Sequence, residues 1–158
     1  MKTLITIALT ASALAVQAKT STPAGWTDDY DAALKRACFC TAPSIPNAPR
    51  NFLSEFIGTF LLVFTIKGIA QVTGCAGGLS YVFVFGIIVS IGMSLGGLTG
   101  YAINPARDLG PRIAHALLPV PGKGPSNWGY AWIPVVAPIA GALSAVALYA
   151  VIPWAAVC

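Results

Sequence analysis

Two stretches of this 158-residue chain contain no charged side chain: 39 residues from Gly68 to Ala106, and 35 from Gly124 to Cys158. Either is longer than the ~20 residues that cross a bilayer as one helix. The whole chain carries 9 Lys+Arg and 5 Asp+Glu, 9% of its residues, where an ordinary soluble domain runs at about 25%. A water-facing surface cannot be built from so few charges, so lipid is the expected surroundings of most of the chain. In hydrocarbon each backbone polar group needs a partner within the protein, and helices provide one locally. The expected class is therefore an all-α membrane protein. The net charge of +4 is dispersed along the sequence. No basic cluster exists to bind nucleic acid.

The first residues follow a different pattern. Met1-Lys2, an apolar run from Leu4 to Val16 and the small-residue ending Val16-Gln17-Ala18 fit a secretory signal over 1–18, cleaved after Ala18. As an uncleaved anchor the apolar run would cover only ~20 Å of a ~30 Å core. Residues 19–50 read as a polar preface with one short helix and a linker marked by Pro43, Pro46 and Pro49. Thr27 or Asp28 can cap that helix, with Asp29 and Asp31 in its first turn and Lys35 and Arg36 in its last, which suits the helix dipole. The segment Gly25-Trp26-Thr27-Asp28-Asp29-Tyr30-Asp31-Ala32-Ala33-Leu34-Lys35 resembles the opening of secreted thioredoxin-like proteins. That family's Cys-x-x-Cys is missing, since Cys38-Phe39-Cys40 has the wrong spacing, so the resemblance implies no activity. Cys38, Cys40, Cys75 and Cys158 form neither a disulfide framework nor a metal-ligand pattern.

Turn chemistry divides the apolar remainder. Thr73-Gly74-Cys75-Ala76-Gly77-Gly78 interrupts the first uncharged stretch, and Gly96-Gly97-Leu98-Thr99-Gly100 closes its second piece. Spans are expected near 52–72, 79–98 and 129–152, with Lys67 reaching the interface. Small residues recur four apart at Gly92, Gly96 and Gly100 and again at Ala137, Gly141 and Ala145, a pattern that lets helices approach closely in lipid. Residues 99–128 are too polar and Pro-rich to span. Within them Asn104 is a suitable N-cap, Pro105 a suitable first helical residue and Asp108 a favourable early acid. Asp108 and Arg112, four apart, can pair. A helix ending near Leu118 would be ~21 Å long, enough to enter a membrane but not to cross it. Backbone that stops at membrane depth is tolerated only inside protein or beside water, which points to a pathway through the bilayer. His115 reads as a packing residue.

The run Gly100-Tyr101-Ala102-Ile103-Asn104-Pro105-Ala106-Arg107-Asp108-Leu109-Gly110-Pro111-Arg112 resembles the second signature loop of the major intrinsic proteins, the aquaporin and aquaglyceroporin family. Glu55-Phe56-Ile57-Gly58-Thr59-Phe60 resembles the start of that family's fourth span, and 122–134 its loop into the sixth. Asp108, Arg112 and Pro134 are similar to the glycerol-conducting branch. Gly92 falls where water channels place a constricting histidine, so a wider opening is expected, with Tyr101 offering a ring to a polyol's carbon side. The resemblance implies a passive path for glycerol, similar small neutral solutes and water. Tyr101, Asn104, Pro105, Ala106, Arg107, Asp108 and Gly92 would form its selective part, supported by Glu55 and Arg112. Asn104 would donate to passing oxygens, while the half-helix N-terminus and Arg107 would repel cations. Passage makes and breaks no bond, so no catalytic residue, cofactor or metal is called for.

The family pore resembles two inverted halves, each with three spans and one Asn-Pro-Ala half-helix. This chain has one such set, so the expected fold is half of an aquaporin-like bundle over 51–158: three transmembrane helices plus one re-entrant half-helix. The signal would leave the N-terminus outside and the C-terminus in the cytoplasm. Possible partners are the lipid bilayer, a complementary N-terminal half and further copies of the chain. The competing readings are a membrane-anchored remnant of a thioredoxin-like protein and a fusion product without function.

Overall fold

A computed structural model of the chain describes residues 28–72 and 78–154. The residues read as a signal, Cys75, Cys158 and most of the 73–78 turn lie outside the described residues. Five helices follow one another: α1 (Asp28–Ala37), α2 (Ala48–Ile69), α3 (Gly78–Thr99), α4 (Pro105–Leu117) and α5 (Ile133–Val151). Among the described residues there is no strand. Helices α2, α3 and α5 are each long and apolar enough to cross a membrane. The described residues are all-helical, three helices able to span a membrane and one shorter helix between the second and third, the arrangement expected for half of an aquaporin-like bundle.

The ends of the spans differ from the sequence expectation for local reasons. Helix α2 starts four residues before 52 because the Asn47 side chain accepts the Arg50 amide at 3.1 Å, and Pro49 occupies the first turn. There its missing N–H removes no bond, so the third proline of the expected linker begins a helix. Helix α5 starts later than 129 because 127–132 form turns, with the Tyr130 amide on the Asn127 carbonyl at 3.2 Å.

The main packing surface lies between α2 and α5. A Cβ on Gly141 would lie 2.3 Å from the Phe56 carbonyl oxygen, so the two backbones touch where only hydrogen fits. Ala137 and Ala145 on either side are fully buried. This is the close approach expected of the 137–141–145 stripe. The 92–96–100 stripe has a different use: Gly92 and Gly96 face the Tyr101 side chain, and Gly100 faces the backbone of Ala42. Along α2, Phe52, Phe56, Phe60 and Phe64 stack in series, with Trp132 against one end and Trp154 against the other. Lys67 lies over the Tyr149 ring at 5.3 Å, at the same end as Trp154. Aromatic groups at both ends and a snorkelling lysine at one fit the two edges of a bilayer.

Helix α1 and the residues after it are docked onto the bundle. Lys35 pairs with Asp31 and donates to the Pro121 carbonyl at 3.0 Å, and Ala32 sits against Gly124. Cys38 is exposed and Cys40 buried, and both are free thiols. Burial pushes the Cys40 thiol above its usual pKa.

Candidate functional site

The site is built where the chain re-enters the bundle after α3. Asn104 caps α4 with its Oδ1 on the Ala106 amide at 2.9 Å, and Pro105 follows at the first turn. The helix N-terminus lies at mid-depth. Ile103, just before it, contacts Thr59 through a 3.4 Å hydrogen bond to its carbonyl, and Thr59 is ~16 Å along α2. From there α4 runs back to the edge it came from. It ends at Leu118, where Lys123 Nζ donates to the His115, Ala116 and Leu118 carbonyls. A cation on these unpaired carbonyls satisfies them and suits the dipole.

The loop 100–104 is strained and tightly held. Tyr101 and Ile103 both adopt left-handed backbone conformations, at φ 60° and 39°. Such conformations cost about 1–3 kcal/mol each and persist where neighbours over-determine them. Glu55, 1% exposed, supplies one restraint. Its Oε1 accepts the Ala102 amide at 3.2 Å and its Oε2 the Ile103 amide at 2.6 Å. The Tyr101 hydroxyl donates to the Ile88 carbonyl at 2.5 Å, and its ring lies against Gly92 and Gly96. The space at Gly92 is thus filled by the Tyr101 ring instead of being left as a wider opening, and Gly92 acts as its seat.

A cavity of about 490 Å³ opens along this loop. Asn104, Arg107 and Thr59 are its polar lining, Tyr101 and Pro105 also line it, and Leu62, Val63, Ile88 and Ile139 contribute apolar side chains. The Arg107 guanidinium is exposed there and has no hydrogen bond among the described residues. Asn104 has its oxygen engaged by the cap, which leaves its Nδ2 donors for the cavity.

Asp108 is not in the cavity. Expected among the selective residues, it is fully buried beneath α4 in an ion pair with Arg112, at 2.7 Å. Asp108 Oδ1 also accepts the Thr41 amide at 2.8 Å and the Thr41 hydroxyl at 2.6 Å. Arg112 donates onward to Thr41, Ser126 and Asn127 carbonyls. Ala106 and Gly92 do not line the cavity either. Sequence reasoning missed Thr41, Lys123 and Ser126. Only the polar residues themselves signal them, because each acts across tens of residues or from inside a loop. His115 is fully buried, with Nδ1 2.8 Å from the Ser126 hydroxyl and its ring edge-on to Phe39. Burial, and then the nearby Lys123 ammonium, hold its pKa below the usual value.

Comparison with known proteins adds the relatives. The family model described as Major intrinsic protein matches residues 4–149. The chain is 60% identical over 116 residues to the glycerol uptake facilitator protein of Bacillus subtilis, covering 73% of this chain and 42% of that protein. It is 48% identical over 128 residues to glycerol uptake facilitator protein 3 of Lactiplantibacillus plantarum, covering 81% and 53%. The D/L-lactic acid transporter of the same organism is 44% identical over 117 residues, covering 73% and 48%. The chain spans about half the length of the curated relatives it matches. The thioredoxin-like resemblance of 25–35 finds no support among them.

Proposed function

The chain belongs to the major intrinsic protein family, and from that premise we propose that it supplies one half of a passive channel for glycerol, other small neutral solutes and water. The observation that carries this reading is the cavity at the start of α4, whose lining combines Asn104 and Arg107 with the aliphatic Leu62, Val63, Ile88 and Ile139. A polyol has the same two kinds of surface. Its hydroxyls meet the Asn104 Nδ2 donors and the Arg107 guanidinium, and its carbons meet Leu62, Val63, Ile88 and the Tyr101 ring edge. The N-terminus of α4 and the fixed charge of Arg107 raise the energy of any cation at that point, so neutral solutes pass and hydronium does not. No step is catalytic.

The relatives named as glycerol facilitators support glycerol as the solute, and the one named as a lactic acid transporter makes lactic acid the first competitor to try. The missing wall would come from a complementary half inserted the other way up. A second copy of this chain inserts in the same orientation and cannot provide it. The test is stopped-flow glycerol uptake by proteoliposomes. The purified chain alone is expected at the lipid background, and flux is expected to rise when a separately produced first half of a glycerol facilitator is co-reconstituted. Substantial flux from the chain alone would overturn the half-channel reading. With both halves present, Arg107→Ala is expected to admit protons that the unsubstituted pair excludes.

A further inference from the structure

We propose that Thr41 and Ser44, in the segment between α1 and α2, form a strap that positions the loop bearing Tyr101 and the first turn of α4 bearing Arg107, with Thr41 as the positioning residue that determines the width of the solute path. The two residues fasten opposite ends of that loop. At the near end, the Ser44 amide donates to the Leu98 carbonyl at 3.1 Å and its hydroxyl to the Gly97 carbonyl at 2.5 Å. At the far end, Thr41 gives both its amide and its hydroxyl to Asp108 Oδ1, and its carbonyl accepts from Arg112 Nη2 at 2.8 Å. Between them Gly100, at φ +82°, passes so close that a Cβ would lie 3.2 Å from Thr41 Cβ and from the Ala42 backbone.

Thr41 is 3% exposed, so its bonds to Asp108 and Arg112 do not compete with water, whereas the Ser44 end is exposed. Hydrogen bonds to a carboxylate are the strong ones, and Asp108 turns the hydroxyl contact into one of them. Glu55 holds the same loop from the α2 side, through the Ala102 and Ile103 amides. The left-handed Tyr101 and Ile103 are therefore restrained from α2 by Glu55, from α3 by the seat of the Tyr101 ring and its bond to Ile88, and by the strap, the restraint that does not come from a span. Releasing it lets the loop relax and moves the Tyr101 ring relative to Arg107.

The consequence for selectivity rests on the channel reading, but the strap itself is tested without flux. The experiment is amide hydrogen exchange of the full chain in phosphatidylethanolamine/phosphatidylglycerol nanodiscs, comparing the wild type with Thr41→Val and Thr41→Ser. Valine keeps the shape and the backbone bond and removes only the hydroxyl. Thr41→Val is expected to raise exchange over 100–108 by about tenfold, the loss of one charge-assisted bond, with α2, α3 and α5 within about twofold of wild type. Thr41→Ser is expected to restore protection. Unchanged exchange over 100–108 in Thr41→Val would overturn the proposal. So would an equal rise in all three spans, or serine behaving as valine does. Where a complementary half gives flux, Thr41→Val also shifts the glycerol-to-water permeability ratio and Thr41→Ser does not. An unshifted ratio alongside raised exchange would overturn the selectivity role and leave the strap standing.

Discussion

Each of the five N–H groups of Arg112 meets an oxygen: both carboxylate oxygens of Asp108 and the carbonyls of Thr41, Ser126 and Asn127. A guanidinium has that many donors and no more, so the fully buried ion is completely solvated by protein. Breaking one side of such a pair leaves an unpaired buried charge, at about 3–5 kcal/mol. Asp108→Asn is therefore expected to be that much less stable in detergent thermal unfolding, and Arg112→Lys, which keeps the charge but loses the fork, to fall between it and wild type. A loss under about 1 kcal/mol in Asp108→Asn would show that the pair is not the anchor of α4. His115 carries a pH dependence at the same scale. Its folded pKa is lowered by burial and by Lys123, with Arg36 and Arg112 also nearby. The unfolded chain, with an ordinary imidazole, then binds more protons, so stability falls as pH drops below about 6.5. Unfolding midpoints at pH 7.5 and 5.5 are expected to differ more in wild type than in His115→Asn. The Asp108–Arg112 pairing was legible from its i,i+4 spacing, but the burial was not. Arg112 is held by Ser126, Asn127 and Thr41, and no local pattern announces contacts 14 to 71 residues away.

Among elements, the half-helix was the most readable, because its start is a local device: Asn104 as cap and Pro105 in the first turn. Its end is less so. Pro119 and Pro121 explain why it stops, but Lys123, folding back onto three carbonyls, satisfies the end and has no spacing rule of its own. The two small-residue stripes have the same signature and different partners. At 137–141–145 the partner is another helix, and at 92–96 it is the side chain of Tyr101, which arrives from a loop. Period four indicates a flat strip on a helix and says nothing about what lies on it. Alanine substitutions separate these cases. Gly141→Ala places a methyl 2.3 Å from the Phe56 carbonyl, where backbone must move, so a loss of about 1–3 kcal/mol is expected. Gly86→Ala, on α3 with nothing within 4 Å, is expected to be neutral or slightly stabilising through helix propensity, by up to ~1 kcal/mol. Thermal unfolding of the two variants side by side checks this, and equal effects would mean that the α2–α5 contact is looser than its geometry.

At the scale of the molecule, the uncharged stretches established the solvent, and the few charges locate the machinery. Asp108 and Arg112 are buried on α4, Glu55 is buried on α2 where it holds the loop before α4, and Arg107 lines the cavity. The ends of the helices define two edges. The starts of α2 and α5 and the end of α3 share one edge, where Trp128 and Trp132 lie, and the docked segment bearing Cys38 belongs to it. Lys67, Tyr149 and Trp154 mark the other edge. A signal over 1–18 would put the Cys38 edge outside and Lys67 inside; the cations do not set this orientation, because Lys35, Arg36, Arg50 and Lys123 lie at the Cys38 edge and Lys67 at the other. The orientation can be tested with a membrane-impermeant maleimide on intact cells. Exposed Cys38 is expected to react from outside. In a background with Cys38, Cys75 and Cys158 replaced by serine, Lys67→Cys is expected to react only after permeabilisation. Reaction of Lys67→Cys from outside would invert the orientation, and α4 would then enter from the cytoplasmic side.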